Sequence, residues 1–396
     1  MMLFKDALTR EVRMKQKILV NLTILISLFL FLSSIANASA LWPGEETIEA
    51  AGFPAVVKFE KGDPNKPLVV FVPGAHHTAR VAYGHEGSRK QDFIQFWLHE
   101  QGYNFLAISY PIETKSGLMN NTYPNFTIQD WGKQAAEITH KILIDNGLSG
   151  KVILIGWSMA GKVAQPFGAA AKEIGMDLDF YISFAATPPT IGLVGMSKKI
   201  AMAPSGLADR SKDVPNWYAQ VKANESLNGG RVIIPWKIFE DEYTGNIPVQ
   251  LQGYGLRYKK GEKEFVRNFW EEIEEAKPYD YANFPLVATV MPASAVDGRH
   301  AMTDSSAWAV YIANKITWDY CKGIDLKKLS ESKFRSLTNL VRTAPQRLSS
   351  ETFKGNHFFY VGEAGAREAV VRIMTLEQEV HAFKEELSVI LGVDIK

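Results

Sequence analysis

The stretch KVILIGWSMAG, residues 151–161, joins an apolar run to a serine that stands among small residues. The apolar run predicts a buried strand, and the small residues after it predict a tight turn into a helix. At the start of a helix, free backbone N–H groups and the helix dipole favour developing negative charge. The stretch therefore predicts a turn between strand and helix that presents a reactive serine, Ser158.

Short apolar runs alternate with helical patterns on both sides of this stretch. Such alternation predicts βαβ units and a mostly parallel central sheet with helices on both faces. Continuous apolar runs suit strands that are covered on both faces. The predicted strands are residues 55–59, 67–74, 104–111, 151–156, 178–186 and 284–292, and the predicted helices are residues 89–102, 127–147, 261–278, 304–320 and 325–345.

The strand, turn and helix around Ser158 resemble the nucleophile elbow of the α/β-hydrolase family, specifically of its serine hydrolases. Gly156 and Ser158 match the family motif G-x-S-x-G, while Ala160 replaces the second glycine. Pro166, which follows in the predicted helix, should kink or shorten it. An ordinary serine in a βα turn of another doubly wound fold is the competing interpretation.

The resemblance covers residues of about 50–190 and 284–380, and it implies an α/β-hydrolase fold over residues 41–396. Residues of about 190–283 break the alternating pattern and are rich in tryptophan and tyrosine. This segment occupies the position of the family's cap or lid insertion. Its aromatic residues either line an apolar acyl site or form the core of the lid.

The resemblance also implies two backbone donors for an oxyanion. One is the N–H of Met159, directly after the serine. The other is the N–H of Ala75, in the sequence Pro73-Gly74-Ala75 that follows the predicted strand 67–74. A plain glycine turn at the end of a strand is the alternative for Gly74, but together with Ser158 the oxyanion interpretation is favoured.

A serine hydroxyl needs a base that takes its proton. His357, in GNHFFYVGEAGAREAV before the last helix, resembles the family's catalytic histidine, and His300 is the competitor. Asp297, after the predicted strand 284–292, resembles the acid that orients the histidine. Asp304 remains an alternative to Asp297, and an Asp-Gly turn is the structural alternative for Asp297.

His76, His77, His85 and Glu86 lie close together in the sequence but lack the helical spacing of a zinc site. We therefore expect no bound metal, and the resemblance implies no cofactor.

The composition is that of an ordinary globular protein, with 46% hydrophobic and 22% charged residues and a formal net charge of +1. This balance gives no electrostatic reason to expect a nucleic-acid partner.

Residues 1–40 have the layout of a secretory signal peptide, with basic residues, an apolar stretch and A-x-A spacing. Cleavage after Ala38 and after Ala40 fit equally well. The alternative is an uncleaved membrane anchor, so we expect membrane contact only through this segment. Cys321 is the single cysteine and excludes an intramolecular disulfide. An exported protein, periplasmic or secreted, is the predicted location.

Taken together, these residues predict an exported serine hydrolase that cleaves a carboxylic ester, with a small or lipid-like acyl substrate. The runner-up activities are a peptidase or amidase and a thioesterase, which use the same residues. A non-catalytic binding module on a hydrolase scaffold is the alternative from a different class of protein.

Overall fold

The computed structural model of the chain describes residues 41–352 and 354–395, so the predicted signal segment lies outside the described residues. Eight strands form the central sheet. They are labelled β1 to β8 in chain order: Glu45–Ala50, Phe53–Glu60, Leu68–Val72, Asn104–Ser109, Val152–Trp157, Leu178–Phe184, Val287–Pro292 and Ser349–Thr352.

The strands lie in the order β1-β2-β4-β3-β5-β6-β7-β8. β2 pairs antiparallel with β1 and β4, and the pairs from β4 to β8 are parallel. Every residue of β3 and β5 is buried, which requires cover on both faces of the sheet. This is the α/β-hydrolase fold that the sequence predicts.

The sequence patterns miss the strands at the two edges of the sheet. β1 reads Glu-Glu-Thr-Ile-Glu-Ala and β8 reads Ser-Ser-Glu-Thr. Edge strands are commonly polar because one side is unpaired and close to solvent. Neither edge strand contains the apolar run by which the central strands were predicted.

Eight helices of at least seven residues, labelled α1 to α8, accompany the sheet in the described residues: Ile94–Glu100, Ile128–Asn146, Ala164–Glu173, Val214–Glu225, Phe269–Ala276, Gly298–Lys315, Glu331–Arg347 and Glu363–Leu391. α2 begins at a capping box between Thr127 and Asp130 and ends at Gly147, which is left-handed. Both boundaries agree with the sequence, because caps and terminal glycines act locally.

Two predicted helices are too long. The predicted helix 89–102 begins only at Ile94, because residues 90–92 form a separate turn. The predicted helix 261–278 is wrong in its first half, since Val266–Arg267 pairs with Leu256–Arg257 as a short antiparallel ribbon. The ribbon depends on a partner ten residues earlier, which a helical pattern cannot reveal.

Pro166 lies in the first turn of α3, where its missing N–H disrupts nothing. The six residues Ser158–Val163 form a 3₁₀ helix, and the α-helix starts only at Ala164. Gly132 of α2 packs directly on Pro166, and a Cβ at Gly132 would collide with the ring. The proline thus lies in the first turn of the α-helix, at the contact between two helices.

The insertion between β6 and β7 comprises residues 185–286 and contains α4 and α5. The rest includes 3₁₀ turns, a helical segment over Trp236–Ile238 and Phe239–Tyr243, and two-residue strands. Among these strands, Gly245–Asn246 pairs with Glu113–Thr114, and Ala201–Met202 pairs with Ala208–Asp209. Within residues 41–352 and 354–395, no helix combines the length and the apolar content needed to span a bilayer.

Candidate active site

The turn after β5 holds Ser158 in a left-handed conformation, with φ of 58°. Left-handed backbone is uncommon for a residue with a side chain, so the surrounding structure must impose it. Small residues make the turn possible: a Cβ at Gly156 would collide with the Tyr181 hydroxyl, and one at Gly161 with the Thr187 carbonyl. The sequence motif around the serine therefore has a steric cause.

Three side chains meet at the carboxyl ends of the strands. Ser158 Oγ lies 2.7 Å from His357 Nε2, and His357 Nδ1 lies 2.7 Å from Asp297 Oδ2. Ser158 follows β5, Asp297 follows β7, and His357 lies in the loop between β8 and α8. The structure brings together the serine, histidine and acid that were singled out from the sequence, over separations of 199 and 60 residues.

Burial and hydrogen bonding set the charges of this triad. Burial lowers the pKa of His357, and the carboxylate of Asp297 opposes that shift only in part. Burial works against ionisation of Asp297, yet the hydrogen bond from His357 and the nearby cations hold the pKa of Asp297 below its usual value. At neutral pH the pair is thus a neutral imidazole and a carboxylate. His357 then donates from Nδ1 and accepts the serine proton at Nε2.

The loop that carries His357 is held from two sides. The indole Nε1 of Trp157 donates to the His357 carbonyl at 2.9 Å. From the insertion, the buried Asn224 of α4 donates to the carbonyls of Phe358 and Val361 at 2.9 and 3.1 Å. The His357 N–H donates to Gln220 Oε1, also on α4, at 3.2 Å. The insertion therefore positions the histidine of the triad.

Both expected oxyanion donors border the same cavity as Ser158. Gly74 lies so close to the elbow that a Cβ there would come within 2.8 Å of Ser158 Cβ. The N–H of the next residue, Ala75, donates no hydrogen bond within residues 41–352 and 354–395. Met159 occupies the first turn of the 3₁₀ helix, where N–H groups have no acceptor inside the helix.

The competing residues His300 and Asp304 form a second pair behind the triad. His300 Nδ1 lies 2.9 Å from Asp304 Oδ2, and the ring of His300 packs on that of His357 with centroids 5.0 Å apart. Burial lowers the pKa of His300 to about 4, so this histidine is neutral at pH 7. Asp304 contacts His300 instead of His357, which leaves Asp297 as the acid beside the triad histidine.

Asp297, His300 and His357 also lie close enough together to suggest metal ligands. Their nitrogens are already engaged, however. His357 uses both for Ser158 and Asp297, while His300 contacts Asp304 through Nδ1 and Arg299 Nη2 through Nε2, at 2.5 Å. The guanidinium of Arg299 would also repel a cation. The donor set fits a triad better than a metal.

His76 and His77 lie in the loop after β3, and both are buried. His77 packs against Trp157 and Trp217, and His76 stacks on Trp217. Burial lowers the pKa of each to about 3. They join the elbow to the insertion as neutral aromatic side chains.

A cavity of about 240 Å³ opens onto Ser158 beneath the insertion. Of the insertion's aromatic residues, Trp217 and Tyr254 line it, whereas Trp270 is exposed on the surface. Basic side chains share the lining, so of the two alternatives for these aromatic residues, a purely apolar acyl site does not fit the cavity. A larger cavity, about 550 Å³, lies elsewhere and includes no residue of the triad.

Sequence reasoning missed the contributions of Gln220 and Asn224, because their hydrogen bonds join segments more than 130 residues apart. No local pattern in α4 indicates them. Lys162 was also missed, although a signal was present. It is the single charged residue between Trp157 and Ala171, and this segment is otherwise uncharged and mostly buried.

No protein-family model matches the chain, and no curated protein matches it in sequence. Solved structures resemble it at low identity. A soluble variant of monoglyceride lipase from Saccharomyces cerevisiae is 12% identical, over 87% of this chain and 96% of that chain, with a TM-score of 0.41. An AqdC variant that recognises and cleaves the ring of the Pseudomonas quinolone signal is 13% identical, over 84% and 99%, with a TM-score of 0.44.

A thioesterase domain from the curacin biosynthetic pathway is 11% identical, over 83% of this chain and 98% of that chain, with a TM-score of 0.36. At these identities and TM-scores, the likenesses carry no argument about activity or substrate. The assignment of the fold rests on the order and direction of the chain's own strands.

Proposed function

We propose that the protein is a serine hydrolase that cleaves a carboxylic ester through an acyl-enzyme. The observation that supports this most strongly is the unbroken hydrogen-bonded row Ser158–His357–Asp297, with distances of 2.7 Å at both steps. A neutral imidazole between a hydroxyl and a carboxylate is the arrangement that general-base activation of serine requires.

In the first half of the proposed reaction, Ser158 Oγ attacks the ester carbonyl while His357 Nε2 takes its proton. Asp297 stabilises the imidazolium that forms, and the N–H groups of Ala75 and Met159 receive the oxyanion. The tetrahedral intermediate then expels the alcohol, which takes the proton from His357. The product at this point is an ester of Ser158.

In the second half, a water molecule gives its proton to His357 and attacks the acyl carbon. The new intermediate breaks its bond to Ser158 Oγ, which recovers the proton, and the carboxylic acid leaves. A cavity of about 240 Å³ favours a small acyl ester over an extended peptide chain or a long lipid chain.

We further propose that the protein acts outside the cytoplasm, in a periplasm or after secretion, on the grounds of the signal-like residues 1–40. Cell fractionation and amino-terminal sequencing test this. A mature chain that begins after Ala38 or Ala40 is expected, and a chain that retains residues 1–40 would contradict cleavage.

Fluorophosphonate labelling of the mature protein, with the modified residue mapped by mass spectrometry, tests the activated serine. We expect labelling at Ser158 that is abolished in Ser158→Ala and strongly reduced in His357→Ala. A series of 4-nitrophenyl esters, matched thioesters and anilides then defines the bond. Faster cleavage of thioesters or anilides would replace the ester assignment, and absence of labelling would favour a non-catalytic binding module.

A further inference from the structure

Three basic side chains border the cavity over Ser158: Lys162, Arg210 and Arg299. Within the part of the chain that the structure describes, Asp297 is the single acidic residue of this lining, and it is already bonded to His357. Arg210 is paired with Asp213, at 2.6 Å. Lys162 and Arg299 form no ion pair with a carboxylate of the described residues.

Lys162 is the more unusual of the two, because its side chain is almost completely buried. It lies on the 3₁₀ turn that starts with Ser158, and the residue is 3% exposed. Its Nζ forms no hydrogen bond or ion pair with any residue in the ranges 41–352 and 354–395. Burial of an ammonium group without a partner is costly unless an anion joins it.

Glu272 is the acidic residue whose charge attracts the Lys162 ammonium group. Both side chains approach Gly253. A Cβ atom added to this glycine would lie 2.8 Å from Lys162 Nζ and 3.2 Å from Glu272 Oε1. Glu272 does not pair with the lysine, and its carboxylate accepts the Gly255 N–H instead. Burial lowers the pKa of Lys162 to about 8 despite the attraction of Glu272. The lysine is therefore mainly a cation at neutral pH.

Arg299 offers a second cation, oriented by neutral partners. Its Nη1 donates to Thr187 Oγ1 at 2.9 Å, and its Nη2 donates to His300 Nε2 at 2.5 Å. No carboxylate of the described residues forms an ion pair with it, and the residue is exposed. A guanidinium that is oriented but not neutralised is well suited to bind a carboxylate or phosphate oxygen.

We propose that the substrate of Ser158 carries an anionic group, such as a carboxylate, that is held in the cavity by Lys162 and Arg299. This inference rests on the proposed function, since it names the substrate class of the same site. The opposing interpretation is that Lys162 serves only to balance the buried charge of Glu272. The two differ in whether a negative charge on the substrate accelerates the reaction.

Two pairs of esters separate these interpretations. Mono-4-nitrophenyl glutarate and 4-nitrophenyl valerate have acyl chains of equal length and differ in a terminal carboxylate. 4-Acetoxybenzoate and its methyl ester place the charge on the leaving group instead. We expect the anionic member of at least one pair to have a kcat/KM about tenfold higher or more, which corresponds to one strong charge contact. A neutral member that is equal or better in both pairs overturns the proposal.

Substitutions then test whether Lys162 and Arg299 cause the preference for the anionic ester. Arg299→Gln and Lys162→Met should each reduce the ratio of kcat/KM within the favoured pair by about tenfold. Lys172→Met is the matched control, because Lys172 lies further along the same segment with 64% of its side chain exposed, and the ratio should not change. A ratio that survives both Arg299→Gln and Lys162→Met overturns the assignment.

If Lys162→Met lowers the melting temperature severely, Arg299→Gln decides, since that side chain is exposed. Failure of the proposed function has a different signature: no fluorophosphonate label at Ser158 and no cleavage of any ester. In that case calorimetry on Ser158→Ala compares binding of the glutarate and valerate esters. Tighter binding of the glutarate ester supports the anion site, and equal binding overturns it.

Discussion

The strand β5 and the insertion between β6 and β7 bury their residues in different ways. All residues of β5 are buried, and every one of them is apolar or glycine. The insertion, by contrast, buries Arg257, Glu272 and Asn224. Apolar burial needs no particular partner, whereas each buried polar group needs a specific one.

The sheet and the insertion accordingly make different contributions to the candidate site. The sheet carries Ser158, Asp297 and His357 at the ends of strands, as parallel sheets commonly do with reactive groups. The insertion covers the site and anchors the loop of His357 through Asn224. We therefore expect changes at the strand ends to abolish turnover with little effect on folding, and changes in the insertion to affect both together.

Replacement of the serine should have the largest effect. Ser158→Ala should lower kcat/KM by ~10⁴-fold or more, because it removes the nucleophile while the oxyanion donors remain. Ester hydrolysis by purified protein measures this. Circular dichroism should show an unchanged melting temperature, since the alanine keeps the buried contacts of the turn. A residual activity within about tenfold of the wild type would contradict the nucleophile.

The two candidate acids should differ sharply. Asp297→Asn should lower kcat/KM by ~10⁴-fold, because an amide cannot stabilise the imidazolium and favours the wrong tautomer of His357. Asp304→Asn, which alters only the pair behind the triad, is its matched control, and we expect a loss below about tenfold. The reverse order would assign the acid role to Asp304 through His300.

The anchor from the insertion should have an intermediate effect. Asn224→Ala removes two hydrogen bonds to buried carbonyls of the His357 loop and should cost ~1–3 kcal/mol of folding free energy. Misplacement of the imidazole should also lower kcat by about 10- to 100-fold. Chemical denaturation and ester hydrolysis measure the two effects.

Asn314→Ala serves as the control for this anchor, since within residues 41–352 and 354–395 the Asn314 amide bonds only near its own helix: it donates to the Val310 carbonyl and accepts from Trp318 Nε1. It should leave both stability and turnover near the wild-type values. A stability loss without any change in kcat would mean that α4 supports the fold but not the position of His357.

The last expected effect appears only in acid and concerns the stability of the contact between sheet and insertion. His76 and His77 have pKa values lowered to about 3 by burial, so the unfolded chain binds more protons between pH 6.5 and pH 3. Stability must therefore fall as pH falls through that window. Denaturation at a series of pH values measures it, and His76→Gln with His77→Gln should flatten the slope. An unchanged slope would locate the acid-sensitive groups elsewhere.

Much of this protein can be predicted from local patterns. The buried runs of β3, β5 and β6, the capped helix α2 and the turn at Ser158 all follow from neighbouring residues in the chain. The steric demand for small residues at 156 and 161, by contrast, comes from Tyr181 and Thr187, which belong to the next strand and the loop that follows it. His357 and Asp297 could be proposed because the chain resembles a family in its order of motifs.

Other features depend on segments that lie far apart in the sequence. Three features require partners that no local pattern reveals: the polar edge strands β1 and β8, the ribbon that replaces the first half of the predicted helix 261–278, and the support of His357 by α4. The same holds for the choice between Asp297 and Asp304, which depends on which of the two contacts His357 and which contacts His300 in the folded chain. Hydrogen bonds and charges act over a few ångströms, so the partner of a polar group is known only when the folded chain brings the two together.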